Sequence, residues 1–420
     1  MTYLKDKVVN MLEWLGKYTK IDMLYLVKGS MWGSLSQIST ALMALGLAAA
    51  FSRLVPKEVY GQYKYVLSII NLLSTFSLTG LSMAVLQSVS AGYEGTVRYA
   101  FWQNIKWSVF FFLGSGIVSV YYFLHSHFVF GFSMLLAGCL WPIFISTNLD
   151  GSLLMAKKDF RRVTIYFDVI GNLVPYLSLF GIMFLTQNPI WFVAAYIISN
   201  TVIGLILYQR TLSIYKPNDK VEPGMLGYSK HLSIIGILMN ISDNVDQILV
   251  FHYIGAAELA IYNFATAIPD QIKGPVKNLV NLLLPKFTER TDKEIHPAMN
   301  NKFLLLFIAG LTLSVGYIVV APYIYKIFFP QYIDSVLYSQ IFSLSMVSFV
   351  GMPAFTYMNS RKKIKELYVS NVSTSLLSMA LVFISIVKWG LIGLVIVRVL
   401  MRIIAALVGI FLYKRSIKTV

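Results

Sequence analysis

The stretch LIGLVIVRVLMRIIAALVGIFLY, residues Leu391–Tyr413, is apolar throughout except for Arg398 and Arg402. A helix needs about 20 consecutive apolar residues to cross the hydrocarbon core of a bilayer. Other runs of similar length precede this one, and 57% of the 420 residues are hydrophobic whereas only 13% are charged. A water-soluble fold cannot bury so much apolar surface. The sequence therefore predicts an all-α integral membrane protein of about twelve transmembrane helices.

The predicted spans fall into two equal groups. Residues 27–212 hold helices 1–6 and residues 232–413 hold helices 7–12. A polar cytoplasmic linker over residues 213–231 separates them, and residues 414–420 form a short cytoplasmic tail. Residues 1–26 place apolar side chains at helical spacing among lysines, a pattern typical of a helix that lies on the membrane surface.

A short internal echo relates the two groups. PKEVYGQY, from Pro56, follows the first span, and AAELAIY, from Ala256, follows the seventh. Repeats in the same orientation predict two six-helix lobes related by a pseudo-two-fold axis along the membrane normal, with a pathway between them.

Lysine and arginine set the orientation. Of the 35 such residues, 26 lie in the termini and the even-numbered loops, and five lie in the odd-numbered loops. Because positive charge favours the cytoplasmic side, both termini are predicted to be cytoplasmic. The net charge of +16 is assigned to anionic lipid headgroups and not to nucleic acid.

The eighth run, PDQIKGPVKNLVN from Pro269, contains the strongest candidate site. Asp270, Lys273, Lys277 and Asn281 recur at spacings of three and four, which places them on one helix face. An ionised group in hydrocarbon is costly, so such residues mark an interior face or a water-filled cavity. The lysines either form a cationic wall for an anionic substrate, or they have a structural role in which they snorkel or pair with Asp270. Three prolines, Pro269, Pro275 and Pro285, are predicted to interrupt the helix.

The seventh run carries an acidic and amide-rich stripe that includes Asp243 and Asp246. Such a stripe suits a cation or proton site, or a counter-charge for the lysines of the eighth run. Gln37 in the first run and Asn71 in the second lie on stripes of small polar residues, which are equally typical of helix–helix contacts. The polar spans are thus the first, second, seventh and eighth, which occupy equivalent positions in the two groups.

The remaining intramembrane charges lie outside the seventh and eighth runs. Asp168 lies in the fifth run, with a structural and a coupling role equally open. Arg398 and Arg402 either face the cavity or pair with a carboxylate such as Asp168, and Arg53 ends the first run on the outer side. The sequence contains neither a nucleotide-binding GxxxxGK[ST] loop nor a metal-ligand spacing of Cys and His. No metal and no resident cofactor are therefore expected.

The stretch AAAFSRLVPKEVYGQY, from Ala48 to Tyr63, resembles the end of the first span in bacterial polysaccharide-unit (O-antigen, Wzx-type) flippases. TGLSMAVLQ from Thr79, MAKKDFRR from Met155 and DNVDQILVFHYIGAAELAIY from Asp243 also resemble this family. It belongs to the multidrug/oligosaccharidyl-lipid/polysaccharide exporter superfamily. Val55 stands where glycine is frequent in the family.

This resemblance implies a V-shaped fold like that of the multidrug and toxic-compound extruders, without enzymatic activity. It implies a flippase that moves undecaprenyl-pyrophosphate-linked oligosaccharide from the inner to the outer leaflet of the bacterial cytoplasmic membrane. The substrate-binding residues expected on this basis are Arg53, Lys273, Lys277, Arg398, Arg402, Asn71, Gln37 and Asn281. Coupling to a proton or sodium gradient is assigned to Asp243, Asp246, Asp168 and Asp270. The expected partners are membrane lipids, a polysaccharide polymerase and a chain-length regulator.

Two alternatives remain on the sequence alone. A cation-coupled drug extruder of the same fold requires an acidic and aromatic cavity, whereas this sequence has at least as many basic candidates. A membrane-embedded polysaccharide polymerase usually carries a sizeable outer loop with arginines, which these short outer loops lack.

Overall fold

A computed structural model describes residues 23–281, 287, 292–361 and 363–418. Within these residues the regular structure is helical, and no strand occurs. Three segments depart from α-helical geometry, namely a π-helix over Thr164–Ile170 and 3-10 helices over Pro330–Tyr332 and Leu344–Gly351. The α-helices are α1 (Met23–Leu54), α2 (Lys57–Ser74), α3 (Leu81–Ser90), α4 (Thr96–Trp107), α5 (Val109–Leu124), α6 (Phe128–Thr147), α7 (Leu149–Ala156), α8 (Phe160–Val163), α9 (Gly171–Leu185), α10 (Pro189–Tyr215), α11 (Met225–Tyr253), α12 (Ala256–Asn281), α13 (Asp292–Phe328), α14 (Ser335–Ser343), α15 (Met352–Ser360) and α16 (Ile364–Lys418).

Nine segments of the described residues are long and apolar enough to cross a membrane. The predicted second span is divided between α2 and α3, and the predicted eighth span, α12, carries four charged residues. Neither is among the nine. The prediction of a polytopic all-α membrane protein is confirmed. The count of twelve spans and the division into lobes at residues 213–231 stay predictions.

The last of these segments, Lys365–Ile417, is 53 residues long. An unbroken helix of that length would extend about 80 Å, more than twice the hydrocarbon thickness. Gly390 breaks it, with φ 61° and ψ −146°, a conformation that only glycine adopts readily. This break separates the predicted eleventh and twelfth spans.

The prolines of α12 do not break that helix. It continues through Pro269 and Pro275, so the prediction that these two residues interrupt it is wrong. Proline is tolerated in membrane helices because neighbouring groups and local adjustments satisfy the freed backbone carbonyls. Pro285 lies outside the described residues. So does the predicted surface helix over residues 1–26, apart from the first residues of α1.

Close backbone contacts attach α2 and α3 to the second group of helices. A Cβ atom added to Gly61 would lie only 1.8 Å from the carbonyl oxygen of Ala256. Farther along the chain, the Gly80 N–H donates to the Ser233 hydroxyl at 2.9 Å. The two echoed stretches of sequence therefore meet at a contact that requires glycine.

An aromatic cluster, formed by Phe51, Tyr60, Phe264 and Tyr332, joins the two groups at the end of the molecule that carries Arg53. The Phe264 and Tyr332 rings stack with centroids 3.7 Å apart, and the Tyr60 ring lies 5.2 Å from that of Phe264. All four side chains are buried. Because the cluster combines residues of α1 and α2 with residues that follow α11, it closes this end.

The linker before α11 is held against the first group of helices. Glu94 forms an ion pair with Lys157 and accepts a hydrogen bond from the Asn218 N–H at 3.3 Å. The Glu222 N–H donates to the Thr96 hydroxyl at 3.1 Å. The Lys157 ammonium and the Asn218 N–H lower the pKa of the Glu94 carboxyl below its usual value, against an opposing effect of desolvation.

Replacing Gly61 by alanine should destabilise the protein by about 1–3 kcal/mol, because the new methyl group collides with a backbone carbonyl that cannot rotate away. The measurement is thermal denaturation in detergent. Gly46→Ala is the matched control, since a Cβ atom there meets nothing within 4 Å. Equal midpoints for the two variants would contradict the close approach of α2 and α12.

Acid should weaken the contacts that hold the linker against the first group of helices, because it protonates Glu94. A carboxyl whose pKa is lowered by folding stabilises the folded state above its unfolded pKa of about 4.3, and this contribution disappears as the pH falls through the lower folded value. Proteolysis of the linker should therefore accelerate below about pH 4. Glu94→Gln should show faster cleavage already at pH 7 and a smaller acid response. Asp219→Asn, at a side chain that is 98% exposed, serves as the control.

Candidate functional site

Helices α11, α12 and α16 bring together a group of side chains that we call the charged cluster. It contains four cations and three carboxylates, which leaves one excess positive charge. Electrostatic interactions connect its members across the three helices. The members of the charged cluster are Asp243, Asp246, Asp270, Lys273, Lys277, Arg398 and Arg402.

The most buried ion pair of the cluster joins Arg398 to Asp246. The Arg398 Nη2 and Nε atoms lie 2.6 and 2.8 Å from the Asp246 Oδ2 atom, and the two side chains are 12% and 5% exposed. The Tyr262 hydroxyl donates to the same oxygen at 2.5 Å, and the Gln247 N–H donates to the Oδ1 atom at 2.8 Å. Arg398 also donates to the Ser242 carbonyl at 2.8 Å. In this conformation neither charged group is available to a ligand.

A second ion pair joins Arg402 to Asp270, with the Nη1 and Oδ1 atoms 2.6 Å apart. Arg402 lies over the Phe342 ring at 4.5 Å and contacts the Ser345 hydroxyl at 3.3 Å. The two charged side chains are 29% and 43% exposed, so this pair is more open than the first. Both arginines thus pair with carboxylates of the cluster and not with Asp168.

The two lysines have a different environment. Lys273 and Lys277 are exposed, and neither forms an ion pair within the described residues. The alternative that they pair with Asp270 is not what the structure shows, because Asp270 binds Arg402. Helix α1 approaches beside them, since a Cβ atom at Gly274 would lie 2.6 Å from the Gln37 Oε1 atom. In this conformation the two lysines are the cations of the charged cluster without an ion pair within the described residues, and their role as a cationic wall for an anionic substrate stays a prediction.

Asp243 is the carboxylate of the cluster without an ion pair within the described residues. Its side chain is exposed, and it interacts electrostatically with Arg398 and Lys273. A carboxylate without an ion pair can exchange a proton or bind a small cation, although the neighbouring cations oppose both. The coupling role of Asp243 stays a prediction.

Asp168 lies in the π-helical segment of the fifth predicted span. The Asn172 amide donates to the carbonyl oxygens of Phe167 at 3.3 Å and Asp168 at 2.9 Å. Single turns of π-helix occur often at functional sites. Asn71 is exposed on α2. Asn281 ends α12, but its side chain lies outside the described part of the structure.

Arg53 lies at the closed end with the aromatic cluster. Its Nη2 atom donates to the Ile327 carbonyl at 2.6 Å, and Lys57 forms an ion pair with Asp334 at 2.7 Å. The Arg53 contact reaches the last turn of α13 and the Lys57 pair reaches the segment that follows it, so both link the first group of helices to the second. In this conformation Arg53 helps to close the protein, apart from the charged cluster.

The sequence analysis did not find the role of Tyr262, which appeared only as part of the echoed stretch. The hydrogen bond to Asp246 depends on how α12 is rotated against α11, and helical spacing within either helix carries no information about it. It also did not select Asp150, which is buried in α7.

The fold and the cluster can be compared with known proteins. The family model described as polysaccharide biosynthesis protein matches residues 26–289, which is more than half of the chain. The chain belongs to the polysaccharide biosynthesis protein family. A search of curated proteins finds no match.

Two solved transporters have folds similar to that of this chain. An inward-facing multidrug resistance MATE family transporter of the MOP superfamily is 16% identical, with 90% of this chain and 95% of that chain covered and a TM-score of 0.70. The lipid II flippase MurJ in an inward closed conformation is also 16% identical, with 92% and 87% covered and a TM-score of 0.67. At these identities the likeness shows the fold. The expected all-α membrane fold, similar to that of the MATE family transporters, is confirmed, whereas its two six-helix lobes stay a prediction.

The Arg398–Asp246 pair should behave as one unit. Arg398→Gln or Asp246→Asn alone should cost about 3–5 kcal/mol, because each leaves a buried charge without its partner. The double variant should be more stable than the sum of the single losses implies. Thermal denaturation in detergent measures all three. Additive losses would show that the two groups are not coupled.

Proposed function

We propose that this protein is a flippase that moves undecaprenyl-pyrophosphate-linked oligosaccharide repeat units from the inner to the outer leaflet of the bacterial cytoplasmic membrane. It acts by alternating access, as a transporter and not as an enzyme, with both termini in the cytoplasm. The family match and the MOP-type fold support this assignment.

The observation that carries the proposal is the excess positive charge of the cluster. The carboxylates of Asp246 and Asp270 are occupied by arginines, which leaves Lys273 and Lys277 as exposed cations beside α1. A diphosphate needs cationic partners when it leaves water, and ammonium groups form strong charge-assisted hydrogen bonds with phosphate oxygens. The lysines are the proposed first contacts of the pyrophosphate.

The Arg402–Asp270 ion pair is the proposed second contact of the pyrophosphate, after the lysines. Arg402 is held by Asp270 at a partly exposed position, so an incoming phosphate can compete with the carboxylate for the guanidinium. Release of Asp270 would then change the contact between α12 and α16. Asp243, which has no ion pair within the described residues, is the proposed coupling group for a proton or sodium ion.

Outward opening requires the closed end to separate. The aromatic cluster, the Lys57–Asp334 pair and the Arg53 contact all lie there. These contacts must break together for the substrate to reach the other leaflet. Once the unit is released there, a polysaccharide polymerase and a chain-length regulator are the expected partners.

A drug extruder of the same fold is the second candidate, and the exposed carboxylate of Asp243 favours it. The Asp243 carboxylate would attract a cationic drug electrostatically. The excess positive charge around it opposes such a ligand, which is why the anionic lipid is preferred here.

Replacing Lys273 and Lys277 together by alanine should reduce transport about 100-fold or more, because two charge-assisted hydrogen bonds to phosphate are lost. The assay is surface polysaccharide in a strain that lacks the chromosomal copy. Binding of undecaprenyl pyrophosphate to the purified protein in nanodiscs is measured in parallel.

Lys220→Ala, at an exposed linker position, is the control and should transport normally. Membrane levels of all variants are compared by immunoblot. Normal surface polysaccharide and normal binding in the double lysine variant would exclude the lysines as the phosphate site.

A further inference from the structure

The first group of helices contains a cavity of about 590 Å³ that is separate from the charged cluster. Its walls come from α3, α6, α7, α9, α10 and the π-helical segment. A volume of this size lies within the range of small-molecule binding sites. The lining includes three amides and one carboxylate, namely Asn148, Asn172, Asn200 and Asp150.

These polar groups retain hydrogen-bonding capacity. Asp150 is 2% exposed, accepts a hydrogen bond from the Thr211 hydroxyl at 3.2 Å, and has no ion pair within the described residues. Asn148 makes no side-chain hydrogen bond within the same part of the chain. The Asn200 amide nitrogen donates to the Tyr196 carbonyl at 2.7 Å, which leaves its oxygen as an acceptor. Polar groups in such a setting are stable when they are hydrogen-bonded.

Aromatic rings line the same cavity. Tyr166, Phe167 and Tyr196 contribute to its wall. A Cβ atom at Gly151 would lie 2.8 Å from the Phe167 ring, so this ring rests directly on the backbone of α7. The Tyr196 ring is also fixed, because it stacks with that of Trp141 at 6.2 Å.

We propose that this cavity binds a sugar of the lipid-linked oligosaccharide. Sugar hydroxyls are both donors and acceptors, which matches amides and a carboxylate, and the C–H faces of a sugar ring pack against aromatic rings. The described residues that line the cavity include no lysine or arginine, which disfavours a phosphate in the same place. This inference rests on the proposed function and extends it, since it assigns the sugar and the pyrophosphate to different sites.

Helix α1 lies between the two sites. The Thr164 hydroxyl, beside the cavity-lining Val163, donates to the Trp32 carbonyl at 3.2 Å. Gln37 approaches Gly274, next to Lys273. These two positions on α1 are about 7.5 Å apart along the helix axis. A helix with its side chains is about 10–12 Å across, so the cavity suits a sugar of the repeat unit beyond the one that is attached to the pyrophosphate.

The test compares two lipids for binding to the purified protein in nanodiscs. One is undecaprenyl pyrophosphate without sugar, and the other is the lipid-linked oligosaccharide extracted from membranes of the source bacterium. Asn148→Leu removes the proposed hydrogen bonds to the sugar at nearly constant volume, and Asp150→Asn replaces one carboxyl oxygen by an amide nitrogen with the shape retained. Both variants should bind the sugar-free lipid as the parent does and the glycosylated lipid about tenfold more weakly.

Asn301→Leu, at an exposed position of α13, is the matched control and should bind both lipids normally. Unchanged binding of the glycosylated lipid by both cavity variants would overturn the sugar site. An equal loss for both lipids would overturn it as well, because the cavity would then not distinguish the sugar.

Lys273→Ala separates the two proposals. It should weaken binding of both lipids. If it leaves both unchanged while the cavity variants lose only the glycosylated lipid, the lysine site is wrong and the sugar site stands. If the parent protein binds neither lipid, the proposed function fails, and the sugar site fails with it.

Discussion

The buried Arg398–Asp246 ion pair is the interaction on which the rest of the charged cluster depends. A charge within a membrane protein must be paired or hydrated, because hydrocarbon does not solvate an ion. Asp246 receives the guanidinium, the Tyr262 hydroxyl and a backbone N–H, so α11, α12 and α16 are held at one point. With this carboxylate occupied by Arg398, Asp246 forms no ion pair with the exposed lysines of α12.

Close approach of backbones determines how the two groups of helices meet. Lipid provides little apolar driving force between helices, so small residues and specific polar contacts decide the packing. Gly61 against Ala256 and Gly80 against Ser233 provide such contacts. The aromatic cluster contains Tyr60, the neighbour of Gly61, so the Gly61–Ala256 contact belongs to the same closed end.

The two proposed sites differ in the polar groups that they offer a ligand. The charged cluster has an excess of cations, whereas the cavity of the first group has one carboxylate among amides and aromatic rings. A pyrophosphate-linked sugar has the same division, with its negative charge at one end and its hydroxyl groups at the other. Helix α1 contacts the walls of both sites, and a movement of α1 would therefore affect both at once.

The sequence by itself determined that the chain lies in a membrane as helices, because apolar length is a local property. It also selected the charged residues of α11, α12 and α16, because intramembrane charge is rare. It could not determine which charges pair, since the pairing of Arg398 with Asp246 and of Arg402 with Asp270 depends on how distant helices rotate and cross. The continuity of α12 through its prolines and the cavity around Asp150 were likewise decided only by tertiary packing, which supplies partners that no local pattern encodes.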